Sequence, residues 1–160
     1  MAQMEIRPAV RADLVRIHEI YAYARRFMAE NGNPTQWIGG YPRQELLELD
    51  ISLGRLYAVI RDGLICGAFV FFIGEDPTYA VIEGSWRSNA SYGVIHRIAG
   101  TGGGIFRTAL EFCRSKSSHL RIDTHADNKP MQHVVEKAGF SRRGIIYVED
   151  GSPRIAYDLI

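Results

Sequence analysis

No run in this 160-residue sequence is apolar for long enough to cross a membrane. Nothing at its start reads as a charged-then-apolar leader, so the cytoplasm is the expected compartment. Charge of either sign is not in excess: 19 Lys and Arg stand against 18 Asp and Glu, a net charge of +1. That balance argues against nucleic acid or a charged membrane surface as a partner. Cysteine is scarce. Cys66 and Cys113 sit in apolar strand-like and helix-like runs and read as buried free thiols, not as a disulfide or a metal pair. No repeat, linker or low-complexity tract is visible. The expectation is a single domain over residues 1–160, long enough for a good core.

Glycine is not scarce, and four of the 16 glycines fall within five residues. Val94, Ile95, Ile98 and Ala99 make a short apolar strand that carries His96 and Arg97. Gly100, Gly102, Gly103 and Gly104 follow, broken only by Thr101, and from Ile105 the spacing of Ile105, Ala109, Phe112 and Cys113 turns helical. A strand that runs through glycines into a helix points free backbone N–H groups and the positive end of a helix dipole at one spot. Such a spot takes an anion, most often a phosphate or pyrophosphate. A kinase-type P-loop needs Lys-Ser or Lys-Thr after the glycines, and neither is there. A dinucleotide fingerprint begins at Gly100 and Gly102 but meets Ile105 where its third glycine belongs; Asp123 stands at about the right distance for a ribose-binding acid. A glycine turn without a ligand is the remaining alternative.

The rest of the chain alternates. Met4 to Ala9 begins as a strand, and a helix follows near Asp13, with Leu14, Ile17, Tyr21, Ala24 and Met28 on one stripe, ending at Asn31-Gly32. Pro42 suits the first position of a second helix, running to about Leu53 and closed by Gly54. Leu56–Ile60 and Leu64–Phe72 read as strands of a hairpin turning at Asp62-Gly63, with a bulge at Gly67. Tyr79 to Trp86 fits a strand or a short helix. Downstream come a strand at Leu120–Asp123, a helix from Asn128 to Lys137 with Pro130 in its first turn, Gly139-Phe140, and a strand at Ile145–Val148.

This order resembles the GCN5-related N-acetyltransferase (GNAT) superfamily over nearly the whole chain, including the opening EIRPAVRADLVRIHEIY. The phosphate motif of that family, R/Q-x-x-G-x-G/A, falls on Thr101 to Phe106 and matches at Gly104 alone. Its N-x-x-A-x-x-x-Y-x-x-x-G-F segment falls on Asn128 to Phe140; Asn128 and Gly139-Phe140 match, while Val135 replaces the tyrosine. The resemblance implies an α+β (mixed α/β) fold: a central, mostly antiparallel mixed sheet of about seven strands flanked by about four helices. It implies an acetyl-CoA-dependent N-acetyltransferase acting on a small amine or peptide amino group, or alternatively a non-catalytic CoA- or acyl-CoA-binding module. By that resemblance Ile98, Gly102, Gly103, Gly104, Ile105, Phe106, Arg107 and Asn128 hold the CoA moiety, and Trp37 and Tyr41 are candidates to contact the acceptor, the alternative being that they cap the core.

Acetyl transfer to an amine requires that a proton leave the ammonium and one reach the departing thiolate. His96 and Glu83 are the candidate bases; His96 also reads as a histidine bonded within the fold. With no hydroxyl at Val135, the proton for the thiolate comes from water or from a neighbour, Tyr147 or His133. The spacing of His96, Asp123 and His125 matches no zinc pattern, and no metal is expected. A homodimer is compatible with the sequence, and no nucleic-acid or membrane partner is expected.

Overall fold

The computed structural model describes residues 3–160. β1 (Met4–Pro8) leads through a short 3-10 turn into α1 (Leu14–Glu30), which buries Leu14, Ile17, Ile20 and Tyr21 along one stripe. α2 (Gln44–Ser52) starts two residues later than Pro42, because Arg43 is extended and its carbonyl is the first to accept helical hydrogen bonds, from Leu46 and Leu47. Gly54, at φ 69°, closes α2 as its position in the sequence suggests. β2 (Leu56–Arg61) and β3 (Leu64–Ile73) form the expected hairpin, with Asp62 at φ 53° and Gly63 at φ 76° as a type I′ turn demands.

The β2–β3 register slips beside Gly67, where Val59 faces Gly67 but Ile60 faces Ile65. The slip reverses the side-chain parity of β3. Ile65, Ala68 and Val70 pack with α1, while Cys66, Phe69 and Phe71 pack with the opposite helix layer. A Cβ on Gly67 would stand 2.9 Å from Ile105, so glycine here lets that helix layer approach the sheet.

After β3 the segment from Tyr79 to Trp86 forms neither a full strand nor an α-helix. It holds a 3-10 turn at Pro77–Tyr79 and the two-residue β4 (Glu83–Gly84). Then come β5 (Gly93–Gly100), α3 (Ile105–Lys116), β6 (Leu120–Thr124), α4 (Lys129–Lys137), β7 (Ser141–Tyr147) and β8 (Pro153–Leu159). Among the described residues these eight strands form one sheet in the order β1-β2-β3-β5-β6-β8-β7-β4. Every pairing is antiparallel except β5 with β6. α1 and α2 cover one face; α3 and α4 cover the other, where Ile105, Ala109, Leu110, Cys113 and Val135 meet Phe69, Ile95, Leu120 and Ile122. No described helix is long and apolar enough to cross a membrane.

The parallel pair is what shapes the site. β5 and β6 are joined only at Gly93 with Leu120 and at Val94 with Arg121, after which they part. β6 stays paired with β8 as far as Thr124, and β5 stays paired with β3 as far as Gly100. The sheet therefore opens into a fork walled by Ile95–Ile98 and Ile122–Thr124.

Candidate active site

At the far end of β5 the chain turns through the glycines into α3. Gly104 caps the helix in the left-handed region at φ 82°, and the first helical hydrogen bond runs from Thr108 N–H to Gly104 O at 3.0 Å. The N–H groups of Ile105, Phe106 and Arg107 precede that bond and have no helical carbonyl to meet. A Cβ on Gly103 would face open space, so this backbone is accessible from outside. The Arg61 guanidinium, from the end of β2, donates to Gly103 O at 2.6 Å and adds positive charge to the loop. Phe106 is half-buried and packs against the core, and the Arg107 side chain is exposed on the first turn.

A cavity of about 590 Å³ occupies the fork and runs out between α2 and the loops. His96, Arg97 and Ile98 line it from β5; Ile122, Asp123 and Thr124 line it from β6. The Thr124 hydroxyl is buried there with no partner among the described residues. His96 Nε2 lies 2.5 Å from Asp76 Oδ2. Asp76 is fixed in turn: its Oδ1 accepts from Thr78 N–H at 2.9 Å and from the Thr78 hydroxyl at 2.8 Å. Burial pushes the Asp76 pKa up, but the hydrogen bonds and charge of His96 and the bonds from Thr78 outweigh it and hold the carboxyl at about 2. Asp76 is thus an acceptor near neutral pH, and Nε2 carries the proton. Nδ1 faces Asp123 Oδ2 at 3.9 Å, and that oxygen accepts the Tyr79 hydroxyl at 2.7 Å.

The outer wall is the loop between α1 and α2. Trp37 meets Tyr21 edge-on at 5.6 Å and Tyr41 at 6.2 Å between ring centres. The Tyr41 hydroxyl accepts from Arg97 Nη1 at 3.0 Å. On the other side Asn128 Nδ2 donates to Gln36 Oε1 at 2.9 Å, so the loop is fastened to both arms of the fork.

This chain matches an acetyltransferase of the GNAT family from Streptococcus agalactiae at 31% identity, over 98% of this chain and 95% of that one, with a TM-score of 0.88. The chain belongs to the GNAT family of acetyltransferases. A putative acetyltransferase from Staphylococcus aureus aligns at 25% identity over 96% of both chains, with a TM-score of 0.68. The fold is shared with RimJ of Mycobacterium smegmatis, solved in complex with CoA-disulfide: 20% identity, 98% of this chain, 81% of that one, and a TM-score of 0.59. No family profile matches the sequence, and no curated protein does.

Within this GNAT fold the residues singled out from sequence divide. His96, Ile98, Trp37, Tyr41 and Asn128 line the one cavity, and Gly102 to Arg107 form the loop and helix start at the end of β5. Glu83 and Tyr147 are elsewhere. They bond to each other at 2.8 Å across the β4–β7 edge and line a separate hollow of about 280 Å³. Glu83 and Tyr147 therefore lie outside the cavity that holds His96. Asn128 has both side-chain polar atoms engaged within the protein, capping α4 through Met131 N–H at 3.2 Å and holding Gln36. Asp76, Tyr79 and Arg61 escaped sequence reasoning. Asp76 lies in a Glu-Asp-Pro turn with no motif, and only the folded sheet brings it to His96.

Proposed function

We propose that this protein is an acetyl-CoA-dependent N-acetyltransferase acting on an amine, with His96 as its general base. The observation that carries the reading is His96 itself: it stands in the fork with one ring nitrogen tied to an ionised Asp76 and the other facing the cavity. A thioester donor supplies an activated acyl group, and the chain offers a matching cradle. The N–H groups ahead of Thr108, the open backbone at Gly103 and the Arg61 guanidinium suit a pyrophosphate. The unpaired edge of β5 beyond Val94 and the unpartnered Thr124 hydroxyl suit an extended amide chain in the fork. That a RimJ with the same fold was solved with CoA-disulfide supports this ligand.

The residues divide the work. Asp76 holds the Nε2–H tautomer, so Nδ1 has its lone pair directed at the acceptor side of the fork. His96 takes the proton from the acceptor through Nδ1, and the imidazolium so formed is stabilised by Asp76. Trp37 and Tyr41 form the outer wall of the cavity.

The test is titration calorimetry with CoA, followed by thiol release from acetyl-CoA across a panel of primary amines. Heat with CoA, amine-dependent thiol release, and a fall of about a hundred- to ten-thousandfold in His96→Gln are expected. CoA binding without release from any amine favours the second reading, a CoA-binding module, which the core position of Val135 in place of a hydroxyl supports. Absence of CoA binding overturns both.

A further inference from the structure

His96 and Asp123 face each other where the sheet divides. The last ladder pair of β5 and β6 is Val94 with Arg121. Continuing that register places Ile95 opposite Ile122 and His96 opposite Asp123. Ile95 and Ile122 both lie in the core under α3, so His96 and Asp123 share the other face, which the cavity occupies.

Asp123 is an unusual carboxylate. Its side chain is 10% exposed, yet its one hydrogen-bond donor among the described residues is the buried Tyr79 hydroxyl. Arg55 and Arg154 also line the cavity, but neither pairs with it. A carboxylate so placed calls for a cation. Its 3.9 Å separation from His96 Nδ1 is too long for a direct hydrogen bond. It leaves room for one bridging nitrogen about 2.9 Å from both atoms, the usual N–H···O and N–H···N length.

We propose that Asp123 binds the acceptor as its ammonium ion and holds that nitrogen beside His96 Nδ1. The acceptor class is then a primary amine taken up in its protonated form. One proton passes from the ammonium to Nδ1, the amine keeps the electron pair, and the imidazolium lies between Asp76 and Asp123. The rings of Phe72 and Tyr79, at 6.3 and 6.0 Å, complete the surroundings of His96. Tyr79 is a positioning residue, since its hydroxyl orients the carboxylate. The inference rests on the reading of His96 as base.

The test reads the His96 ring resonance by NMR, assigned by its loss in His96→Gln, during titration with benzylammonium and n-butylammonium chloride. Benzyl alcohol and n-butanol are the neutral controls. The ammonium probes are expected to bind at least about tenfold more tightly than the alcohols. Asp123→Asn, which keeps an acceptor for Tyr79, should abolish that preference while leaving CoA affinity unchanged. Tyr79→Phe should weaken it a few-fold. Equal responses to amines and alcohols, no response to any probe, or an unchanged preference in Asp123→Asn overturns the proposal. Failure of the wild-type protein to bind CoA would instead overturn the acetyltransferase reading, and the same calorimetry separates the two.

Discussion

The Arg97 guanidinium lies 2.5 Å from the Asp50 carboxylate and ties α2 to the bulge of β5. At that bulge Ala68 faces Ala99 but Val70 faces His96, and Arg97 sits in the left-handed region at φ 48°. A non-glycine residue holds that conformation only where its surroundings insist on it. Here they do: the Tyr21 hydroxyl donates to Arg97 O at 2.7 Å, and Tyr41 accepts from the guanidinium. The strand that presents His96 is therefore pinned from α1, α2 and the loop between them together.

Asp50 is buried and Arg97 largely so, at 7% and 12% side-chain exposure. Asp50→Ala leaves a buried guanidinium without its counter-ion and should cost about 3–5 kcal/mol in urea unfolding. Adding Arg97→Met removes the stranded charge and should recover part of the loss. Full additivity of the two losses would show that the pair contributes nothing as a pair.

Two glycines of the loop should respond differently to the same substitution. Gly104 is left-handed, and a Cβ there would stand 3.0 Å from Met4 Cε, so Gly104→Val should lower stability by about 1–3 kcal/mol besides any effect on ligand. Gly103 has no such φ and faces open space. Gly103→Val should leave the thermal midpoint unchanged yet weaken CoA binding about ten- to a hundredfold. That is the loss expected when one charge-assisted hydrogen bond, about 1.5–3 kcal/mol, is blocked. Unchanged CoA affinity in a folded Gly103→Val protein would remove the pyrophosphate from this loop.

Much of this was legible where local chemistry decides the backbone. Asp62-Gly63 announces its turn, Asn128 and Pro130 announce α4, and the glycine run announces the helix entry after β5. β8 gave no such signal. It is buried on both faces from Arg154 to Leu159, so no alternation marks it, and Asp158 within it is made tolerable by Arg87, a distant residue that donates at 2.6 Å. The site was half legible for the same reason. His96 stood out as a residue type in a strand, but Asp76 and Tyr79 acquire meaning only through contacts that span 20 and 44 residues. Glu83 and Tyr147 show the reverse case, residues of suitable chemistry that the topology carries to the sheet edge.

Asp76 should reveal itself in both rate and acid stability. Asp76→Asn removes the charge that supports the imidazolium, so kcat should fall while the KM for acetyl-CoA holds. Its folded pKa of about 2 lies below the unfolded value near 3.9. The carboxylate therefore stabilises the fold above about pH 4, and that contribution is lost as pH falls toward 2. Unfolding curves between those limits should be steeper in pH for the wild type than for Asp76→Asn.

His119 governs a different window. It is buried beside Tyr92, 5.8 Å between ring centres, with the Arg121 guanidinium near it. Burial first, and the Arg121 charge second, lower its pKa below the ordinary histidine value. Arg121 cannot retreat, since it is held 4.0 Å over Trp86 and 3.9 Å from the Tyr92 ring centre and donates to Ser88 O. The folded state thus prefers neutral His119, whereas the unfolded chain takes up a proton near pH 6.5. More protons bound in the unfolded state means that stability rises with pH in this range. It is complete above about pH 6.5 and declines as pH falls through the lowered folded value. Thermal unfolding from pH 7.5 down to 5 should show a falling midpoint that flattens in His119→Gln. A wild-type midpoint independent of pH across that range, or a slope identical in the variant, would show that His119 does not carry this dependence.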